Sequence, residues 1–458
     1  MRIIFLLGFF IATGSSSVLY GQSKPAPFPD QLKAEMREKI KDAARHAWQG
    51  YKQYAWGYDD LKPLTKTGRN WYRHTMLMTP VDAFDTFTML GLTTEAKEAK
   101  DIILARLNFD VDNNVQVFEV TIRILAGLIT AYETDGDKRF LTLAKDLGDR
   151  MMPVFNTPTG MPYRYIHLQT GKVTDSINNP AEIGTLLLEF GKLSKLTGNE
   201  KYYNAAKKAI LYVYKKRSKL DLVGEQIDVM TGQWKSNTSH ISGYIDSYYE
   251  YLYKGWLLFG DKDFKKAFDR HNAAIKKYLI HQTDHGWFLH HVDMTTGKVL
   301  ETKYGALDAF YAGLCCFAGD VETASHIQQA NYYMWTRFKM EPEEFDFTND
   351  SISSPYYILR PENIESCFYL YRATDMSEYL WMAKTMADDI IRNCKTETAF
   401  ASLKNVSTLE KTNSMESFFF AETLKYAWLV FAPASAADLR NIVFNTEAHP
   451  FKIERKKK

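Results

Sequence analysis

Acidic residues recur inside the apolar runs of this 458-residue chain. Glu119 sits in "VFEVTIR" with Arg123 one helical turn later. Asp246 and Glu250 share a face of "YIDSYYEYL", and Glu362 and Glu365 fall in "RPENIES" beside Arg360. Glu182 and Glu189 lie in "AEIGTLLLEF", Glu416 and Glu422 in "MESFFFAETLKY", and Asp82 and Asp85 in "VDAFDTF". A charge in such surroundings is costly unless it is paired or used. Taken singly, each acid has an ordinary explanation, and Glu119 with Arg123 reads as a common i,i+4 ion pair. Recurrence argues for more. Nearly every long apolar segment carries an acid near its N-terminal end, set among Phe and Tyr. Carboxylates accept hydroxyl hydrogens and aromatic faces pack on the C–H faces of pyranoses, so a cup lined by both suits a sugar. Hydrolysis of a glycosidic bond needs two carboxyl groups across it, one to protonate the leaving oxygen and one to activate water or attack. Several pairs qualify on sequence, and spacing alone does not select one.

The elements that must position these acids are helical. "QVFEVTIRILAGLITAYETDGD" (116–137) places apolar residues on one wide helical face and stops at Thr-Asp-Gly-Asp. A shorter amphipathic segment follows it, and the pattern repeats at 181–217, 244–280 and 362–394. Stops such as "TGN", "FGD" and "ATD" separate the two halves of each unit. At roughly 60 residues per helix pair the chain holds about seven pairs, each needing a neighbour to bury its apolar face. Closure into a ring meets that need without capping repeats. The expectation is therefore an all-α (α/α)7 barrel. Short β-hairpins are expected at 161–174, 226–235 and 286–301, where strand formers flank a turn; they crowd one rim and shape a pocket there.

Composition bounds the rest. Hydrophobic residues make up 45% of the chain, enough for a large core, and the net charge of +2 gives no global field for nucleic acid or lipid. Residues 1–22 read as a signal peptide: Arg2, the apolar run 3–12, then small and polar residues up to Gln22. That run is too short to span a bilayer, and no other segment reaches spanning length, so a secreted or periplasmic protein is expected, with a catalytic domain over 23–452 and a basic tail over 453–458. Cys315, Cys316, Cys367 and Cys394 show no metal-ligand spacing; one long-range disulfide and four core thiols both remain open.

These motifs, in order, resemble glycoside hydrolase family 47, the class I α-1,2-mannosidases, and the related endoplasmic-reticulum degradation-enhancing mannosidase-like proteins. The resemblance runs from about residue 40 to 452. It rests on "HAWQGYKQYAWGYDDLKPL", "VDAFDTFTMLGL", "VFEVTIRILAGL", "AEIGTLLLEF", "IDSYYEYLYK", "RPENIES", "MESFFFAETLKYAWLVF" and "FNTEAHP". It implies a calcium-dependent, inverting exo-mannosidase acting on high-mannose glycans or mannooligosaccharides. By the same resemblance Glu119 is the general acid, Glu362 the general base acting on water, and Asp246 a further catalytic acid. Arg123, Glu182, Arg360, Glu365, Phe418, Glu422 and Glu447 fall in the substrate pocket, with Phe418 stacking under the sugar. Thr446 binds Ca2+ through its hydroxyl and its backbone carbonyl, while surrounding carboxylates hold water. The polar cluster 445–450 near the chain's end thereby gains a purpose, as a plug in the barrel floor.

Two positions depart from the family pattern. Tyr244 stands where the well-known α-1,2-mannosidases have Arg, and Ala306 appears at the position of a substrate-facing His. Both leave the leaving-group preference open and lean toward the degradation-enhancing branch. A non-enzymatic mannose-binding quality-control module on the same barrel predicts binding without turnover; a toroid glycosidase or epimerase of another family predicts no calcium.

Overall fold

The computed structural model describes residues 26–453. The expected leader lies outside them, as do residues 454–458 of the tail. Among these residues, seven inner helical segments, Met78–Leu90, 117–135, 180–197, Asp246–Phe259, 307–317, Glu362–Thr374 and 419–429, alternate with seven outer ones. The outer set is Asp30–Tyr54, Thr93–Arg106, Lys138–Met151, Lys201–Lys215, Lys262–Tyr278, Val321–Phe338 and Ser377–Cys394. Inner segments are buried on nearly every side, whereas outer ones bury one stripe, which is why the former read as continuously apolar and the latter as amphipathic. The ring closes where 419–429 packs against Met78–Leu90. The (α/α)7 expectation holds.

The repeated stops have a physical basis. Gly136 and Gly260 end inner helices in the left-handed conformation (φ 82° and 72°), which a side chain resists. Asp137 and Asp261 then cap the outer helices, accepting the backbone N–H of Arg139 and Asp263 at 3.1 and 3.0 Å. These tight turns close the bottom of the ring. Every return from an outer to an inner helix is longer and carries strands, so the antiparallel hairpins gather at the inner helices' N-terminal rim. They include Tyr165–His167 with Val173–Thr174, Gln226–Asp228 with Trp234–Ser236, and His291–Asp293 with Val299–Glu301.

From the opposite end the last hairpin enters the barrel. Ile442–Phe444 pairs with Pro450–Lys452 and packs on the inner helices, so that its tip, 445–449, reaches the axis. Gly127 makes room: a Cβ there would meet Val81 at 2.5 Å and the His449 ring at 3.3 Å. All four cysteines are buried and free, so the core-thiol alternative is the one observed.

Candidate active site

Six of the seven inner helices, all but Met78–Leu90, bring N-terminal residues to one cavity of about 340 Å³, and the hairpin tip supplies the floor. Glu119, Arg123, Glu182, Asp246, Arg360, Glu362, Glu365, Phe418, Glu422, Thr446 and Glu447 all line it. Residues drawn from five helices, the 360 turn and the hairpin, spread over more than three hundred positions, thus share one space. The other acids noted in sequence do different work. Asp82 and Asp85 lie below the cavity around His449 and Lys425, and Glu189 binds Tyr251 and Asn445. Glu416 accepts from the Ser414 hydroxyl at 2.6 Å.

Arg123 organises one wall. Its Nε donates to Glu119 at 2.9 Å and its Nη1 binds Glu447. The guanidinium lies between the rings of Trp71 and Phe418, 5.2 and 5.6 Å from their centroids. Arg360 faces it across Phe418, 5.9 Å from the same ring and 3.5 Å from Glu362. Glu182 is held by both Arg164 Nε (2.9 Å) and Nη2 (2.7 Å), and Glu250 by Lys254. Asn179 caps this segment of helix through the Glu182 N–H at 2.9 Å, which fixes where Glu182 starts.

The floor is over-determined. Asn445 Oδ1 accepts the N–H groups of Glu447 (3.0 Å) and His449 (2.8 Å), while its Nδ2 donates to the Ile122 carbonyl and to Glu189, each at 2.9 Å. Lys425 donates to the Ala448 carbonyl at 2.6 Å and to both oxygens of Asp85. Thr446 is left half-buried at the apex, its N–H 3.4 Å from the Tyr251 hydroxyl.

The electrostatic balance is lopsided. Eight carboxyl groups line the cavity against two guanidinium groups. Burial pushes Asp246 up to about 6 and Glu362 to about 7, the latter against the pull of Arg360. Burial also raises Glu365 and Glu447 to about 8, opposed by Lys254 and Arg123 respectively. Glu422 is held well above the carboxylate range by burial and by Glu447 and Glu362. Glu362 Oε2 is buried without a partner. Two guanidinium groups leave such a cluster short of positive charge. Among the described residues no three His, Cys, Asp or Glu side chains group so as to hold a metal directly.

Some cavity residues were not singled out by sequence. Gln116, Phe118, Asn179, Ser247, Leu307 and Phe310 complete the wall; Glu250, noted in sequence on the same face as Asp246, lines it as well. Ala306 does not: it is wholly buried before the turn Leu307–Ala309, and that turn presents Leu307 to the cavity instead. Tyr244 does line the mouth, 51% exposed, with φ at 74°.

Comparison with known proteins agrees with this geometry. Residues 43–453 match Glycosyl hydrolase family 47. The chain is 35% identical to Alpha-mannosidase I MNS5 of Arabidopsis thaliana over 92% of its length and 78% of that protein's. It is 34% identical to the mouse (Mus musculus) ER degradation-enhancing alpha-mannosidase-like protein 2, over 96% of this chain and 82% of the relative. Among solved structures it superimposes on an alpha-1,2-mannosidase from Trichoderma reesei with a TM-score of 0.85 at 27% identity, covering 92% of this chain and 99% of that one. A barrel of this form, an acid-lined cup at its rim and a match over nearly the whole chain lead to one assignment: the protein is a glycoside hydrolase and belongs to glycosyl hydrolase family 47.

Proposed function

We propose that the protein is a calcium-dependent, inverting exo-α-1,2-mannosidase that removes terminal mannose from high-mannose glycans or mannooligosaccharides. The observation that carries this reading is the meeting of Glu119, Asp246 and Glu362 in one cavity floored by Thr446 and Glu447. A cup closed below by the hairpin tip favours a chain end over a chain interior, hence exo action. The names of the relatives support mannose as the sugar and the secretory pathway as the setting. Among the described residues no helix is long and apolar enough to cross a membrane.

In this reading Glu119, steadied by Arg123, carries the proton that passes to the glycosidic oxygen as the C1–O bond breaks. Glu362 takes a proton from the water that adds to C1 on the opposite face. One water is consumed, and α-linked mannose leaves as β-mannose. Asp246, on the same wall, orients that water. Phe418 offers the sugar an apolar platform between two guanidinium groups.

The donor set suits a hard cation. The excess of carboxyls, the unpartnered Glu362 oxygen and a Thr446 that lines the cavity fit an ion that would be held by threonine oxygens and by water, with Glu362, Glu365, Glu422 and Glu447 to bind the water. When bound, calcium supplies a charge that holds sugar hydroxyls and acidifies water. The test is hydrolysis of α-1,2-mannobiose followed by proton NMR. β-Mannose should appear first, a chelator should stop release, and Ca2+ should restore it; α-mannose as first product refutes inversion.

A further inference from the structure

Two turns of the inner ring, 120–125 and 419–424, run in the wide i→i+5 register of a π-helix. Such turns are rare and recur at functional sites. The second begins one residue after Phe418 and contains Glu422, both in the cavity wall. A one-residue change of register rotates everything on its N-terminal side by about 100° relative to the rest of the helix. The turn therefore decides whether the Phe418 ring faces the cavity.

Hydroxyls of two buried threonines bracket it. Thr86, on the neighbouring helix Met78–Leu90, donates through Oγ1 to the Phe420 carbonyl at 2.9 Å. Thr423, inside the turn, donates through Oγ1 to the Leu359 carbonyl at 2.6 Å. Leu359 is buried with φ at 67°, a conformation that costs a residue with a Cβ and persists only where its surroundings enforce it. It is followed directly by Arg360, Pro361 and Glu362. Neither threonine lines the cavity.

We infer that Thr86 and Thr423 are positioning residues for the reaction: Thr86 holds the wide turn that aims Phe418, and Thr423 ties that turn to the strained Leu359 that aims Arg360 and Glu362. The inference rests on the roles given above to Phe418 and Glu362. The experiment compares Thr86→Val and Thr423→Val, which keep shape and lose the donor, with the Ser variants, which keep it. Thr423→Val should lower kcat on α-1,2-mannobiose about tenfold to a hundredfold, the scale of a small misplacement at a reacting group. Thr86→Val should raise KM about two- to tenfold, the scale of a lost aromatic contact. Both Ser variants should restore wild-type values, and a crystal structure of Thr86→Val should show 419–424 in the ordinary α register. Val variants that melt earlier yet keep wild-type kcat and KM overturn the inference, as does an unchanged wide turn in Thr86→Val. If the Val variants do not fold, the Ser variants decide, since a Ser variant that loses kcat removes the hydroxyl's claim. If the wild type fails to cleave mannobiose, the proposed function falls, while the register in the Thr86→Val crystal still decides this point.

Discussion

Arg123 sets its Nε 2.9 Å from Oε2 of Glu119 and turns the same guanidinium to Glu447 on the hairpin tip. The acid on one barrel helix and the floor of the cup are thus joined through a single planar cation. Charge-assisted hydrogen bonds of this kind are worth about 1.5–3 kcal/mol. Arg123→Met should therefore lower kcat/KM by about 10- to 100-fold, at about 1.4 kcal/mol per decade. It should also lower the melting temperature, because it strands buried carboxyls. Arg123→Lys keeps the charge and loses the fork, and should fall between. Steady-state kinetics and thermal melts of the three proteins check this.

Glu119→Gln separates proton donation from the rest of the site. With α-1,2-mannobiose, whose leaving hydroxyl needs a proton, the rate should fall about 10²–10⁴-fold. With dinitrophenyl α-mannoside, whose leaving group departs unprotonated, most of that loss should vanish. Equal losses on both substrates would remove Glu119 from the acid role.

The pH dependence of stability has a sign that follows from burial. Asp246, Glu362, Glu365 and Glu447 sit at about 6, 7, 8 and 8 in the cation-free fold, above their ordinary values of 3.8 and 4.5. Between those limits the folded protein holds more protons than the unfolded chain, so stability falls as pH rises. His449, raised to about 9 by Asp85 and Asp82 against the penalty of its burial, acts in the same direction. Chelator-treated protein should melt at a higher temperature at pH 5.5 than at pH 8. An opposite trend would mean that these carboxyls are ionised without a cation.

The ring itself was legible because its cause is local. Apolar periodicity, Gly-Asp stops and strand-forming inserts each mark their own stretch of chain, and together they leave one way to bury every face. Candidate acids such as Glu119 and Glu362 were legible because they stand out against apolar neighbours, but Asp82, Asp85 and Glu189 stand out equally and lie outside the cavity, so the choice among them came from the family resemblance. What escaped is what depends on partners far along the chain. Nothing in "FFFAETL" announces a π turn, since one residue of slack leaves the apolar pattern intact. Trp71 reaches Arg123 from a loop, and its contact is set by Asp59 and Asp60, which accept its two N–H groups. Leu77, Tyr244 and Leu359 adopt positive φ without the glycine that usually advertises it. Ala306, which stands where the family pattern has a His, is buried before the turn that presents Leu307 to the cavity, and an apolar run does not reveal that turn.

Thr446 provides the sharpest test of the floor. Its backbone N–H contacts Tyr251, whereas the bonds that shape the hairpin tip come from Asn445, Lys425 and Ala448, not from its hydroxyl. Thr446→Val should therefore melt like the wild type in chelator. A ligand that binds only the folded state stabilises by RT ln(1 + [L]/Kd), about 2.7 kcal/mol at a hundredfold excess over Kd. Wild-type protein should gain that increment as Ca2+ is titrated, and the variant should need a far higher concentration for the same rise. If both melting curves climb together, the hydroxyl does not hold the ion.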